Sequence, residues 1–464
     1  MKKLSRWIIS SNASIFQKIN PQTIKKVFYP TNESEIKEAI AFARERNLAI
    51  TVKGGGSSLS GASTGGLQEK VVISTQKLKT IYEINFDDGY AITDPGVTPD
   101  ELNAAVQSQK SHWKFFVAPS SRDIATMGGM LSTDGGGNDS WMAGTMVDNV
   151  RDVELIDYYG NKITIKRVQS SKKEGEAFKV SSDNKELQQK LREKQFTLND
   201  LAASHGVLGF ISKLTVTINP QNKQKSRKYA LVSFERLNTL GAALVDLITQ
   251  AIPLEYSECF IESHHPEITE KTSPPSMLIR YSPQQAVPLE KILASRGDFQ
   301  PLSEKGFQEL ENIRKNISKR NPPEDLQIGL FEGYGIAVDN LLHFEQVIKN
   351  INQTLQVNDF DPFLKYGHAP SLWHENNKTK KGIIMHSREI RPEEVDDKSL
   401  FKAIIALVNT CRSLGVTPKP EHKWPYSKTT EKHQRLIELR EILGEKFNPF
   451  IIDCSLEELT KLVL

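Results

Sequence analysis

The sequence predicts an α/β or α+β protein of more than one domain, and three observations carry that expectation. Helical and strand-like patterns alternate through roughly the first 220 residues. Glycine concentrates in the same stretch, in segments whose glycines begin at Gly54, Gly128 and Gly206. Past Asn219-Pro220-Gln221-Asn222 the glycines thin out and longer helical patterns take over. A chain of 464 residues holds about two to three domains of ordinary size.

Each element has a local reason. Asn32 and Glu35 make a capping pair, and Ile36, Ala39, Ile40 and Ala43 recur at helical spacing behind it. A short apolar run at 49–52 leads straight into Gly54-Gly55-Gly56, as a strand leads into a loop. Further strand signals stand at 71–73, 90–93, 153–156 and 162–165. The charged stretch 170–194 reads as an exposed insertion or helical excursion, and 208–211 returns to strand. Helices are expected over 240–251, 307–319 and 433–443, with Asn448-Pro449 ending the regular pattern. These signals divide the chain into 1–222, 223–428 and a C-terminal helix and tail, 429–464, that packs back on the first domain.

Composition narrows the function. With 60 Lys+Arg against 57 Asp+Glu, the net charge is +3, which gives no reason to expect nucleic acid or an anionic membrane as partner. No apolar run reaches the roughly 20 residues of a membrane span. The opening stretch has no long apolar segment, so no secretory signal is expected. Cys259, Cys411 and Cys454 are far apart and form no CxxC, so no disulfide scaffold or iron–sulfur ligand set is expected. Free thiols fit a reducing, cytoplasmic setting.

The glycine segments suggest a ligand. Lys53 is followed by Gly54, Gly55, Gly56, Ser57, Ser58, Leu59, Ser60 and Gly61. Glycines let backbone N–H groups approach a phosphate. The dinucleotide GxGxxG pattern fails at Leu59, and no Lys-Ser/Thr completes a P-loop. Taken alone, the segment is a phosphate cradle or a plain glycine turn. Two more segments accompany it: Pro119, Ser120, Ser121, Thr126, Gly128, Gly129, Ser132, Gly135 and Gly136 belong to one, and Gly206, Val207, Gly209, Phe210 and Ile211 to the other. Several loops of this kind point to one extended ligand.

With those residues in view, the chain resembles the FAD-linked oxidases of the vanillyl-alcohol-oxidase/PCMH type, and among them the glycolate oxidase flavin subunit and the D-lactate and D-2-hydroxyglutarate dehydrogenases. The resemblance implies a PCMH-type FAD-binding domain of two α/β subdomains, followed by an α+β substrate or cap domain. It also implies that the first glycine segment holds the pyrophosphate, the second wraps the flavin and ribityl chain, and the third closes over the adenine or pyrophosphate side. Met130 and His205 depart from the family's usual Asn and Glu. Ser57 and Ser58 stand where covalent relatives carry His or Cys, so the FAD is expected to be noncovalent.

The second half resembles the same group through three motifs. Tyr366-Gly367-His368 to His374-Glu375-Asn376 and Gly415 to Glu421-His422 match its metal and base motifs, and Ile313-Arg314 to Ser318 matches its substrate-carboxylate segment. By resemblance, His368, His374 and Glu421 hold Zn²⁺ or Mn²⁺, His422 is the base, and Arg314, Ser318 and Asn376 contact substrate. The chain departs here as well. The histidines stand six apart where the family has seven, no glycine follows His422, and Phe331 aligns near a second basic substrate residue.

The function so implied is FAD-dependent oxidation of a small D-2-hydroxy acid, of the lactate, glycolate or 2-hydroxyglutarate class, to the 2-oxo acid by hydride transfer to flavin N5. An external acceptor then takes the electrons: an iron–sulfur subunit, an electron-transfer flavoprotein, a quinone or oxygen. Two alternatives stand beside it, a same-fold FAD enzyme with other chemistry and a non-catalytic flavin subunit of a larger complex.

Overall fold

A computed structural model of the chain describes residues 23–58, 62–63, 68–117, 119, 121–168, 177–221, 226–319, 328–375, 378–390, 397–418 and 430–449. The chain divides into two compact units. One comprises 1–136, 145–221 and 424–462, and the other comprises 137–144, 222–423 and 463–464. Among the described residues no helix is long and apolar enough to cross a membrane.

The first unit opens with β1 (Ile24–Phe28), α1 (Glu33–Glu45), β2 (Ala49–Lys53) and β3 (Lys70–Ser74), a parallel sheet in the order β1-β3-β2. The Asn32 side chain accepts from Glu35 N at 3.1 Å, while Glu35 reaches back to Thr31 N at 2.8 Å. The reciprocal cap thus closes on the residue before Asn32. Ile36, Ala39, Ile40 and Ala43 are buried against this sheet, as their spacing requires.

A six-stranded antiparallel sheet follows. It is built from β4 (Ile81–Asn85), β5 (Tyr90–Thr93), β6 (Val150–Ile156), β7 (Lys162–Val168), β8 (Ala177–Ser182) and β9 (Phe210–Thr217), in the order β4-β5-β9-β6-β7-β8. Between these strands come α2 (Pro99–Gln109), opened by a Thr98–Glu101 capping box with proline in its first turn, and the short α3 (Met127–Thr133). The charged stretch read as an insertion contains edge strand β8 and then α4 (Lys185–Glu193), which buries Leu187 and Leu191. An edge strand tolerates polar residues, so β8 carried no apolar signal.

The second unit is organised on an eight-stranded antiparallel sheet. In chain order its elements are β10 (Lys228–Ser233), α5 (Leu237–Thr249), β11 (Tyr256–Ser263), β12 (Ser276–Tyr281), β13 (Asp298–Leu302), α6 (Glu304–Lys319), β14 (Ile328–Ala337), α7 (Phe344–Gln356), β15 (Asp361–Glu375), β16 (Lys378–Ile390), α8 (Asp397–Ser413) and β17 (Thr417–Pro418). The strand order is β13-β10-β12-β11-β15-β16-β14-β17. Cys259 pairs with Gly367 and Phe260 with Tyr366 across β11 and β15. Phe307 and Leu310 of α6 pack on Tyr256, Phe260, Leu364 and Tyr366, so α6 covers one face of this sheet.

The chain then returns to the first unit. Leu436, Leu439 and Leu443 of α9 (Glu431–Leu443) join the apolar cluster that holds Val153, Leu155 and Leu214. Beyond α9, Ile50 N donates to Lys446 O and Asn448 N to Ile50 O, each at 2.8 Å. The C-terminal segment is thereby laid beside β2, the strand that feeds the first glycine segment.

Candidate functional site

Backbone and side chain divide the work in the glycine segments. Lys53 ends β2, and its ammonium is buried beside Gly56, whose φ is +71°. An L side chain at that φ is strained, which is the reason for glycine there. At Gly55 the reason is different: a Cβ would overlap the Ile124 carbonyl. Gly54 faces the Thr126 hydroxyl in the same way. The first segment therefore packs directly on the second. The third meets the second through His205 N, which donates to Ser132 O at 2.8 Å.

These contacts bring the three segments together within one unit. Leu59, Ser60, Gly61 and Ser120 lie outside the described residues. Several expected cofactor residues have internal tasks. Thr126 caps α3 by accepting from Gly129 N at 3.4 Å, and the Ser132 hydroxyl donates to Gly128 O at 2.9 Å. Val207, Phe210 and Ile211 are buried in apolar clusters. Such residues offer a ligand backbone rather than side chain.

The segments fit a dinucleotide on two counts. Glycine at 54–56 permits close backbone approach to a phosphate, and the Lys53 ammonium beside Gly56 is a cation with which a diphosphate would pair. Burial pushes the Lys53 ammonium down to about 8, and a neighbouring phosphate would favour its charged form.

In the second unit, Arg314 comes from α6 and His368 from β15. Between them stands Glu258, on β11, which sequence reasoning missed. Arg314 Nε lies 2.7 Å from Glu258 Oε2, and His368 Nδ1 lies 3.3 Å from the same oxygen. Arg314 Nη2 is 3.4 Å from His368 Nε2. Asn138, in the 137–144 excursion, donates its amide to Glu258 Oε2 at 3.2 Å. The Arg314 guanidinium also stands 5.1 Å from the Tyr366 ring centre, and the His368 and His386 rings are 5.4 Å apart.

The charges in this cluster compensate each other. Burial pushes the Glu258 carboxyl up, but Arg314 and His368 pull it down further, and it ends below its ordinary range. Burial likewise works against the Arg314 charge, and Glu258 more than restores it. One sequence signal pointed to Glu258: a carboxylate flanked by Tyr256, Cys259, Phe260 and Ile261 within one strand needs a buried partner. Asn138 gave no such signal.

The expected metal set is not assembled. His368 and His374 belong to one continuous strand, pairing with Ile384 and Thr379 of β16. Across the register shift at 368–371 their partners Ile384 and Thr379 are five residues apart, which at about 3.3 Å per residue is roughly 15–17 Å, whereas ligands of one ion must converge within about 2.1 Å of it. The stretch between them is strand. His374 instead stands 3.4 Å from the Thr379 hydroxyl, near the end of the hairpin. His368 already has Glu258 at one ring nitrogen and Arg314 at the other. Among the described residues no group of three metal-ligating side chains is found. Glu421, His422 and Asn376 lie outside the described residues, as does the side chain of Ser318 on α6.

Comparison with known proteins gives this geometry a context. Residues 24–166 match a family described as an FAD binding domain. The D-lactate dehydrogenase of Archaeoglobus fulgidus is 28% identical over 247 residues, 53% of this chain and 49% of that protein. The D-2-hydroxyglutarate dehydrogenase of Pseudomonas putida is 26% identical over 203 residues, 41% of this chain and 20% of that protein. Glycolate oxidase subunit GlcD of Bacillus subtilis is 25% identical over 230 residues, 49% of this chain and 43% of that protein. The chain thus spans half or less of the length of these relatives. A solved alkyldihydroxyacetonephosphate synthase structure superposes with a TM-score of 0.64 at 14% identity, over 90% of this chain and 75% of that one. The chain thus shares the fold of that structure, and its residues 24–166 match an FAD binding domain.

Proposed function

We propose that the chain, whose residues 24–166 form an FAD binding domain, is an oxidoreductase that converts a small D-2-hydroxy acid to its 2-oxo acid. The observation that carries this reading is the Arg314–His368 pair, a buried guanidinium whose Nη2 lies 3.4 Å from an imidazole nitrogen. A 2-hydroxy acid needs a cation for its carboxylate, which Arg314 offers with His368 as its neighbour, and a base for its hydroxyl proton, which this reading assigns to His422. The D-lactate, D-2-hydroxyglutarate and glycolate names of the relatives support the substrate class.

In this reading Arg314 anchors the carboxylate through its guanidinium. His422 takes the hydroxyl proton as the α-carbon gives up its hydride. Noncovalent FAD, when bound, supplies the hydride acceptor. Two electrons leave the substrate and pass on to an external acceptor: an iron–sulfur subunit, an electron-transfer flavoprotein, a quinone or oxygen. No step is assigned to a divalent ion, because His368 and His374 do not converge. That divergence favours a second reading, a same-fold flavin enzyme acting on another alcohol.

An anaerobic visible spectrum titrated with D-lactate, glycolate, D-2-hydroxyglutarate and the corresponding L-acids tests both. Bleaching of the oxidised-flavin band by a D-acid or by glycolate is expected. A flavin band that none of these acids bleaches would discard the hydroxy-acid reading and leave the second.

A further inference from the structure

We propose that Glu258 is the positioning residue of the Arg314 site. From behind the guanidinium it holds Arg314 and His368 in one orientation and moderates the positive charge they offer to a small carboxylate. The inference rests on the reading that Arg314 takes the ligand's carboxylate.

Three observations place Glu258 in that role. The first is the order of burial: the Glu258 side chain has no exposed surface, while Arg314 keeps 7% and His368 10%. A ligand can touch the arginine and the histidine but not the glutamate. The second is the contact pattern. Glu258 Oε2 stands at Arg314 Nε and at His368 Nδ1, the inner nitrogen of each side chain, while Nη2 faces His368 and Nη1 is left for a ligand. A carboxylate at Nδ1 favours the tautomer with its proton there, and Nε2 then accepts from Arg314 Nη2, 3.4 Å away. The third is cost. Glu258 Oε1 is buried with no hydrogen-bond partner among the described residues. A buried acceptor left unmade is expensive, and a buried ion pair is a weak source of stability compared with well-packed apolar residues. A carboxylate kept on these terms has a use other than holding the sheet together.

The charge balance gives the inference its sign. Glu258 competes with an incoming carboxylate for the same guanidinium. Removing its charge should strengthen anion binding while loosening the geometry that hydride transfer needs. A purely structural glutamate predicts neither effect.

The test uses the FAD-loaded full chain, with redox-inert oxalate as probe, read by titration calorimetry, and D-lactate as reductant, read by anaerobic flavin bleaching. Glu258→Gln should bind oxalate about tenfold more tightly and be reduced at least about tenfold more slowly. Asn138→Ala, which keeps the charge and removes only the donor to Oε2, should slow reduction by less and leave oxalate no tighter. Glu258→Asp keeps the charge but shortens its reach, so it should slow reduction without tightening oxalate, and it serves if the glutamine variant does not fold. A lower melting temperature with oxalate affinity and reduction rate both within twofold of wild type would overturn the inference. So would oxalate binding to neither wild type nor Glu258→Gln. If no 2-hydroxy acid bleaches the wild-type flavin while oxalate affinity responds as stated, the dehydrogenase reading fails and the role of Glu258 stands.

Discussion

The side-chain amide of Asn448 donates to the carbonyl of His205 at 2.7 Å, joining positions 243 residues apart. His205 precedes Gly206, and its own N–H donates to Ser132. The C-terminal segment therefore clamps the third glycine segment while the second holds it from the other side. Asn448→Ala removes this buried hydrogen bond, at a cost of about 0.5–1.5 kcal/mol. The expected result is a lower urea midpoint and faster FAD release on dilution, followed by flavin fluorescence. Release at the wild-type rate would remove Asn448 from the cofactor loop's support.

Gly55 has no space for a side chain. Its Cβ would overlap the Ile124 carbonyl, and backbone cannot yield as a flexible side chain can. Gly55→Ala should push the first two segments apart and lower the ratio of bound flavin to protein, read from the visible and ultraviolet bands. Gly56→Val should do the same through strain at φ +71°. Stoichiometric flavin in both variants would mean that the diphosphate is held elsewhere.

The lowered Lys53 ammonium predicts that FAD affinity depends on pH. Burial holds this ammonium near 8, so above that pH the empty site has largely lost its cation. A bound diphosphate raises the value again, and binding then takes up a proton between about 8 and the ordinary lysine range. Affinity should be flat below about 8 and fall by up to about tenfold per pH unit above it. Lys53→Met should bind more weakly with a flat profile. A wild-type dissociation constant unchanged from pH 7 to 9.5 would exclude this linkage.

The Glu258–Arg314 pair predicts a non-additive cycle. Arg314→Met strands a buried carboxylate and should cost about 3–5 kcal/mol in urea unfolding, and Glu258→Gln/Arg314→Met should recover much of it. The sign with pH follows from the lowered carboxyl. The stability it contributes is present above the ordinary carboxylate value of about 4.3 and is lost as pH falls through the lowered one. Additive single and double variants would show that the pair is not coupled.

The separation of His368 from His374 predicts unequal variants. His374→Ala should leave flavin reduction by D-lactate within about twofold of wild type, because its ring stands near the hairpin end, away from Arg314. His368→Ala should slow reduction, since Arg314 loses its neighbour at Nη2. Equal losses in the two variants would restore the paired-ligand reading.

The sequence by itself determined what local physics decides. The helix behind Asn32 was legible because a cap and a four-residue spacing are properties of neighbours along the chain, and both appear in the structure. The strand ending at Lys53 and its glycines were legible because a loop with positive φ and close approach demands glycine. Arg314 and His368 could be named from motif resemblance. Their meeting is a product of pairing: Cys259 lies against Gly367 in register, and α6 crosses the face that Tyr256, Phe260 and Tyr366 share. Only that register sets Glu258 between them, and only the continued pairing of Asp361–Glu375 with its neighbour strand carries His374 away. Distance in space depends on which strands pair, and pairing is chosen by the burial of whole faces rather than by any single residue.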